Sequence, residues 1–395
     1  MGWFFAVSQI GLCRAGLLSV VISIFRLGRA RMKPMQREGV GVVCPNRYDW
    51  KRLEQFATAI FVRAGVSTRD AETVARSLVH ADLRGVHSHG LARMPVYVER
   101  ISAGLIDVSK APVILRKAGA TAVVDGMNHL GAVVGEAALQ TAIEIAGKNG
   151  TAIVGVRCSN HFGACSYYAE QAIQKGMILF VMSNAPQTMA PTGGIRPFFG
   201  SNPIAAGIPA GSAPPFLLDM ATTVAARGKI ALARKKGEAI PKGWAIDERG
   251  RDTTDPAEAL RGALLPIGGA KGYGIAMFVD ILCGLLAGAG YGPGVHSLYD
   301  NDEHPQNVGH FFWALQIESF MPLPLFQQRM DQYIQQIKAE PKAEGREEIL
   351  IPGEWEWRTA KERQVSGVPL PDTVVCELAA LGSTWGVELE DARIQ

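Results

Sequence analysis

The sequence predicts a mixed α/β protein, with a middle that alternates strands and helices between two helical ends. Three observations predict it. Apolar residues recur at helical spacing on the N-terminal side. Short β-branched runs ended by glycine follow in the middle. Past residue 300 the chain returns to an amphipathic pattern, "PLFQQRMDQYIQQIKAE".

Each element has its own signal. Over 48–64, Leu53, Phe56, Ala57, Ile60 and Phe61 share one helix face, and Gly65 stops the run. "STRD" at 67–70 has the form of a capping box, which satisfies the free N–H groups of a helix start. Ala71, Val74, Ala75, Leu78 and Val79 are the buried stripe of the second helix, ended by Gly85. A third helix is expected from about 91 to 101, with Pro95 tolerated because it falls in the first turn. "TAVVDG", "TAIVGV" and "MILFVMSN" read as strands. Helices are expected over 135–148 and 167–175, and in "RGKIALARKKG" and "GYGIAMFVDILCGLLAG". After the amphipathic tail helix comes a loop with "IPGEWEWR".

Composition narrows the class. The 395 residues suffice for two or three domains, and 48% hydrophobic content with 44 glycines fits a glycine-rich α/β enzyme. The net charge is +3, yet the first 37 residues hold six cations and no acid, leaving −3 for the rest. No aromatic-studded basic patch of the kind that holds nucleic acid is present in the sequence. The six cysteines include no C-x-x-C pair, which is the pattern of reduced thiols in a cytoplasmic protein. The apolar run at 15–25 is too short to span a bilayer, and no small-residue cleavage site follows it convincingly. Residues 1–45 are therefore expected to be an extension outside the fold, with Met32 and Met35 as alternative starts.

The chemistry concentrates in a few motifs. A dinucleotide-binding G-x-G-x-x-G is absent, since "GYGIAM" and "GAGYGP" both fail at the last glycine, and "GGAKGYG" lacks the phosphate-loop order. A Rossmann or phosphate-loop reading is disfavoured. "GVHSHGLARM" is more informative. The spacing predicts His89 at the N-cap of the third helix, with Arg93 four residues on and on the same face. A helix start plus a guanidinium seats a carboxylate, and a histidine beside it can move a proton on the neighbouring oxygen. That suits a 2-hydroxy or 2-keto acid. A surface capping turn is the bland alternative. A metal pair is the third, although no further ligand follows at typical spacing. His161 lies at a strand-to-helix junction in "CSNHFGACSYYAEQA", where a structural histidine is the default. Ser201 and Asn202 offer donors before a strand, and Lys271 among glycines has the makings of a phosphate site.

Six stretches, "SHGLARMPVY", "SNHFGA", "SNPIAAGIP", "LDMATTVAARGKI", "PIGGAKGYG" and "PQNVGHFFWAL", occur in the order found in the malate/L-lactate dehydrogenase family. The chain resembles that family from about 48 to 385. The resemblance implies a non-Rossmann cofactor domain with a mixed, largely antiparallel sheet, and a homodimer. It implies hydride transfer between NAD or NADP and a small 2-hydroxy/2-keto acid, malate- or lactate-like. Ser88 and His89 match the family's Ser-His pair with the histidine as proton donor, Arg93 a substrate-carboxylate contact, and Ser201 a threonine near the substrate. Asn202 is grouped with Ser201. His161 matches a histidine that is the catalytic base in one branch and a cofactor contact in another. Asp219, Met220, Ala221 and Lys271 match cofactor positions, as do Gly353 and Glu354 of "PGE". Ala270, where many members have histidine, leaves NAD against NADP open.

The expected organisation is a helical substrate and dimerisation domain from 46–120 with 297–395, and an NAD(P)-binding domain at 121–296. No metal, membrane or nucleic-acid partner is expected. Within the family the rival is a cyclic-imine reductase, disfavoured because Arg227, Gly228 and Lys229 stand where that branch has His-Gly-Asp. Outside it the rivals are a metal-dependent hydrolase using His87 and His89, and a binding protein without activity.

Overall fold

The computed structural model describes residues 46–299, 304–389 and 392–394; the N-terminal arm lies outside them. Strand β1 (Arg47–Tyr48) leads into α1 (Trp50–Arg63), where the Asp49 side chain accepts from the Arg52 N–H at 2.9 Å. In α2 (Thr68–Leu83) the Ser67 hydroxyl accepts from the Asp70 N–H at 3.2 Å, so "STRD" caps as its spacing predicts. Two 3-10 turns follow, His87–His89 and Leu91–Arg93, before α3 (Met94–Ser102). His89 is therefore not the N-cap of a helix starting at 91. Gly90 is extended (φ −91°, ψ −153°) and interrupts the chain between the turns, while Pro95 sits in the first turn of α3.

The middle is a sheet with its crossovers. Strands β2 (Val113–Ala118) and β3 (Thr121–Asp125) form a hairpin. Helix α4 (Gly131–Asn149) then carries the chain to β4 (Thr151–Ser159), parallel to β3. A parallel pair requires such a crossover. Helix α5 (Cys165–Gln174), β5 (Met177–Ser183), β6 (Ile204–Ile208) and β7 (Phe216–Met220) complete that half. A small layer follows with α6 (Arg227–Lys236), β8 (Ala245–Ile246), β9 (Asp252–Thr253), α7 (Pro256–Arg261) and β10 (Ala263–Leu264). Helix α8 (Ala270–Asp280) continues as a π-helical turn, Ile281–Leu286.

The tail departs from its sequence pattern at two places. Strand β11 (Val308–Gln316) comes before the amphipathic helix α9 (Leu323–Ala339) and enters the sheet between β4 and β5. Residues of "IPGEWEWR", expected as loop, begin helix α10 (Glu354–Ser366), followed by β12 (Val368–Pro369) and α11 (Asp372–Trp385). The seven-stranded order is β2-β3-β4-β11-β5-β6-β7, antiparallel except for β3 with β4. This is the mixed, largely antiparallel α/β sheet expected. Its central strand comes from beyond 296, so the sheet is not confined to 121–296.

Two cores organise the packing. One joins α1, α2 and α3 to Val368, Leu370 and Leu378 from the far end of the chain. The other packs α4 and α5 on the sheet around Tyr168, Phe162 and Phe312. His310 on β11 ties the sheet together. Its ring nitrogens lie 2.9 Å from Ser183 Oγ on β5 and 2.8 Å from Ser159 Oγ on β4, and its ring stacks on Phe162 with centroids 4.0 Å apart. Burial lowers its pKa to about 3.

A histidine held neutral in the fold destabilises it in acid. Between about 3 and 6.5 the unfolded chain binds the extra proton, so stability is full above 6.5 and is lost as pH falls toward 3. The urea midpoint should therefore drop from pH 6.5 to pH 5, with His310 alone contributing about 1 kcal/mol per pH unit. A midpoint that holds or rises over that range would show that His310 is not buried neutral.

Candidate active site

A cavity of about 480 Å³, within the range of small-molecule sites, is lined by residues from distant parts of the chain. His89, Ser201, Asp219, Met220, Ala221 and Gly353 all face it.

The histidine loop is held from below. Asp82, at the end of α2, is 1% exposed. Its Oδ1 meets His87 Nδ1 at 2.7 Å and its Oδ2 accepts from the Leu91 N–H at 2.8 Å. Arg363 on α10 donates to the Asp82 carbonyl and lies 3.2 Å from His87 Nε2. Both ring nitrogens of His87 are thus committed to protein groups. A Cβ on Gly90 would stand 2.3 Å from the Asp82 carboxylate, so only glycine fits there. Among the described residues no group of three or more His, Cys, Asp or Glu side chains converges to hold a metal.

His89 projects from this loop. Its Nδ1 is 2.9 Å from Ser88 Oγ, which leaves Nε2 for a ligand. Its ring centroid is 5.4 Å from that of His161, and His161 Nδ1 is 2.5 Å from the Tyr97 hydroxyl. The His161 N–H donates to Gln306 Oε1 at 2.9 Å. Burial, then the charge of Arg93, lowers the His89 pKa to about 4. Burial first, then His89 and Arg93, puts His161 well below the ordinary value. Burial raises the Tyr97 hydroxyl. At neutral pH all three are uncharged. Arg93 donates from Nε to the Ser88 carbonyl at 2.6 Å and lies 5.3 Å over the Tyr299 ring. Among the described residues no carboxylate pairs with it.

The other side of the cavity is built by β7 and the start of α5. The Asp219 carboxyl is open to the cavity and enclosed by protein elsewhere; burial raises its pKa, while its Oδ2 accepts from the Ser166 N–H at 2.8 Å. Gly163 (φ +83°) lets the chain pass Ser77, whose Oγ would be 2.8 Å from a Cβ. Arg84 pairs with Glu170 at 3.3 Å. The apolar strand beside a carboxylate fits a nicotinamide nucleoside, a flat ring with sugar hydroxyls.

Other residues singled out from the sequence lie elsewhere. Asn202 is buried, its amide spent on the Ala185 N–H (3.1 Å) and the Ala276 carbonyl (2.9 Å). Glu354 is 2% exposed and pairs with Lys338 (2.7 Å) and Arg358 (2.5 Å), fixing the loop that carries Gly353. Lys271 is exposed in the first turn of α8 and does not line this cavity. Two members of the constellation were missed in the sequence, and both had signals. Tyr97 follows Arg93 by four residues, and Asp82 is an acid in register with the buried Leu78.

The malate/L-lactate dehydrogenase family model matches residues 48–379. The chain belongs to this family. A malate dehydrogenase from Pyrococcus abyssi is 41% identical over 344 residues, 85% of this chain and 94% of the relative. A ureidoglycolate dehydrogenase (NAD(+)) from Escherichia coli K12 is 35% identical over 82% of this chain and 92% of its own length. A (2R)-3-sulfolactate dehydrogenase (NADP(+)) from Chromohalobacter salexigens is 35% identical over 84% and 96%. The crystal structure of a malate dehydrogenase from Entamoeba histolytica superposes with a TM-score of 0.83 at 32% identity, covering 87% of this chain and 99% of that one. The family's fold is thus this mixed sheet with helices packed on it.

Gly90→Ala should force the Asp82 carboxylate from its two hydrogen bonds and cost about 1–3 kcal/mol, the usual penalty of overpacking. Urea unfolding measures it. A variant as stable as the parent would mean the loop does not depend on that close approach.

Proposed function

We propose that this protein is an NAD(P)-dependent oxidoreductase that moves a hydride between the nicotinamide and C2 of a small 2-hydroxy/2-keto acid. The observation that carries it is a neutral histidine at the wall of a cavity fit for a nicotinamide, next to a guanidinium with no carboxylate partner among the described residues. Relatives named as malate, ureidoglycolate and sulfolactate dehydrogenases support the same reading.

In the oxidative direction Arg93 holds the substrate carboxylate with its remaining N–H donors. His89, neutral with a pKa of about 4 in the free protein, takes the hydroxyl proton at Nε2. Ser88 Oγ accepts from Nδ1–H and so fixes the tautomer that leaves Nε2 as base. The carboxylate on Arg93 adds negative charge beside the ring and raises its proton affinity as the proton arrives. NAD(P), held against Asp219, Met220, Ala221 and Gly353, would supply the hydride acceptor, or the donor in reverse. His161, anchored by Tyr97, packs its ring beside that of His89 and stands two residues before Gly163, which is on the cavity wall.

In this reading Asp219, Met220, Ala221 and Gly353 face the cofactor and Ser201 the substrate, Glu354 fixes the loop that carries Gly353, and Lys271 stands outside the cavity. Residues 121–296 form most of the cofactor side and lend Ser201 to the substrate, and 46–120 with 297–395 form the substrate side and lend Gly353 to the cofactor. We take the protein to be a cytoplasmic homodimer. In support of the dimer, Ile275, Phe278 and Leu285 expose an apolar face fit for a second copy.

His89→Ala should lower turnover by roughly 10²- to 10⁴-fold, the span of a positioned acid–base, with cofactor affinity nearly unchanged. Steady-state kinetics and nicotinamide fluorescence read the two. If His161→Ala gives the larger loss with cofactor binding intact, His161 carries the proton instead.

A further inference from the structure

The guanidinium of Arg93 has an aromatic neighbour that the proton-transfer scheme does not use. Tyr299, from a distant part of the chain, lays its ring against Arg93 with the guanidinium carbon 5.3 Å from the ring centre. A cation at that distance over an aromatic face is attracted by the ring's quadrupole. The Tyr299 side chain is 61% exposed, so the ring serves the arginine rather than the core.

The main chain holds Tyr299 in place. Its N–H donates to Ser297 Oγ at 3.1 Å, and Leu298 beside it is buried in the same core as Leu91 and Met94, which bracket Arg93. The His296 N–H donates to the Gln306 carbonyl at 3.0 Å, and Gln306 Nε2 donates to the His296 carbonyl at 3.3 Å. Gln306 is 1% exposed, and its side-chain oxygen accepts from the His161 N–H at 2.9 Å. One buried amide thus ties the segment leading to Tyr299 to the histidine packed beside His89.

Arg93 is therefore restrained twice. Its Nε–H is spent on the Ser88 carbonyl at 2.6 Å, and one face of its plane is taken by the ring. What remains is the edge formed by Nη1 and Nη2, which can meet both oxygens of a carboxylate in one plane. We infer that Tyr299 is a positioning residue for the substrate carboxylate, its ring fixing the plane in which Arg93 offers that edge. The inference rests on Arg93 holding the carboxylate as proposed above. A long side chain ordered before its ligand arrives loses less freedom on binding. The carboxylate itself does not react, so this gain is equal in the bound substrate and the transition state, and it falls on KM rather than on kcat.

The test compares the parent with Tyr299→Phe and Tyr299→Leu on pyruvate, oxaloacetate and 3-sulfopyruvate, at saturating reduced cofactor. Nicotinamide fluorescence reads cofactor affinity, and melting temperature reads the fold. Tyr299→Leu keeps apolar bulk and removes the aromatic face, so KM for the acids that the parent reduces should rise by about 3- to 30-fold, the span of a cation–π contact from exposed to desolvated. Its kcat should stay within about threefold of the parent, because uniform binding is what is lost. Cofactor affinity and melting temperature should match the parent. Tyr299→Phe keeps the face and should stay within about twofold of the parent in KM.

A Tyr299→Leu enzyme equal to the parent overturns the inference. So does a Tyr299→Phe loss as large as that of leucine, which would assign the role to the hydroxyl. A fall in kcat with KM unchanged, or a cofactor affinity that weakens as much as KM rises, overturns it too. Turnover of none of the acids by the parent removes the proposed function and this inference with it. Brisk turnover that Arg93→Lys leaves intact removes the carboxylate seat and this inference together. Turnover impaired by Arg93→Lys but not by Tyr299→Leu removes this inference alone.

Discussion

The buried carboxylate of Asp82 is the constraint on which the chemical face of this protein depends. It sits at the end of α2, where the apolar stripe would otherwise place a hydrophobic side chain, and reaches the loop above with both oxygens. One oxygen fixes His87 and the other the Leu91 N–H, so the intervening Ser88, His89 and Gly90 are clamped at both ends. Burying an anion is expensive unless hydrogen bonds satisfy it, and a satisfied one is correspondingly rigid. The loop can therefore present a histidine without a regular helix beneath it.

Electrostatics follow from that placement. His89, His161 and Tyr97 are packed too closely and too deeply to ionise at neutral pH, so among the described residues the histidine loop holds Arg93 as a charge without a counterion. Burial is the main cause that keeps His89 neutral, and an anion entering next to Arg93 would offset the second, the arginine's charge. In the proposed mechanism substrate binding and proton uptake would be coupled, because an acid on the guanidinium would also make the imidazole a stronger base. In the absence of substrate, burial first and the Arg93 charge second keep the imidazole unprotonated.

Much of this was legible in the sequence, and the rest was hidden for physical reasons. The helices of the N-terminal side and the strands "TAVVDG", "TAIVGV" and "MILFVMSN" follow from spacing and β-branched runs. Strand β11 did not, because a central strand buried on both faces loses the alternation that marks a half-exposed one, as "VGHFFWALQ" shows. Helix α10 is charged around most of its surface, so it carries no apolar stripe to read. His89 and Arg93 are four apart, but on consecutive 3-10 turns rather than on one α-helix. His161 stands 72 positions from His89, and only the packing of β4 and its junction against α3 brings their rings to 5.4 Å. Family resemblance supplied that pairing where spacing could not.

The central claim is that a guanidinium without a counterion among the described residues waits beside a neutral base for a carboxylate. Arg93→Lys tests it most directly, since it keeps the charge and removes the planar fork. Initial rates with 2-keto acids should show a raised Michaelis constant together with lower turnover, a combined loss in kcat/KM of about 10- to 150-fold for one charged hydrogen bond. Cofactor affinity should stay near that of the parent. An Arg93→Lys enzyme equal to the parent on every 2-keto acid would contradict the account, and the carboxylate would have to be held elsewhere.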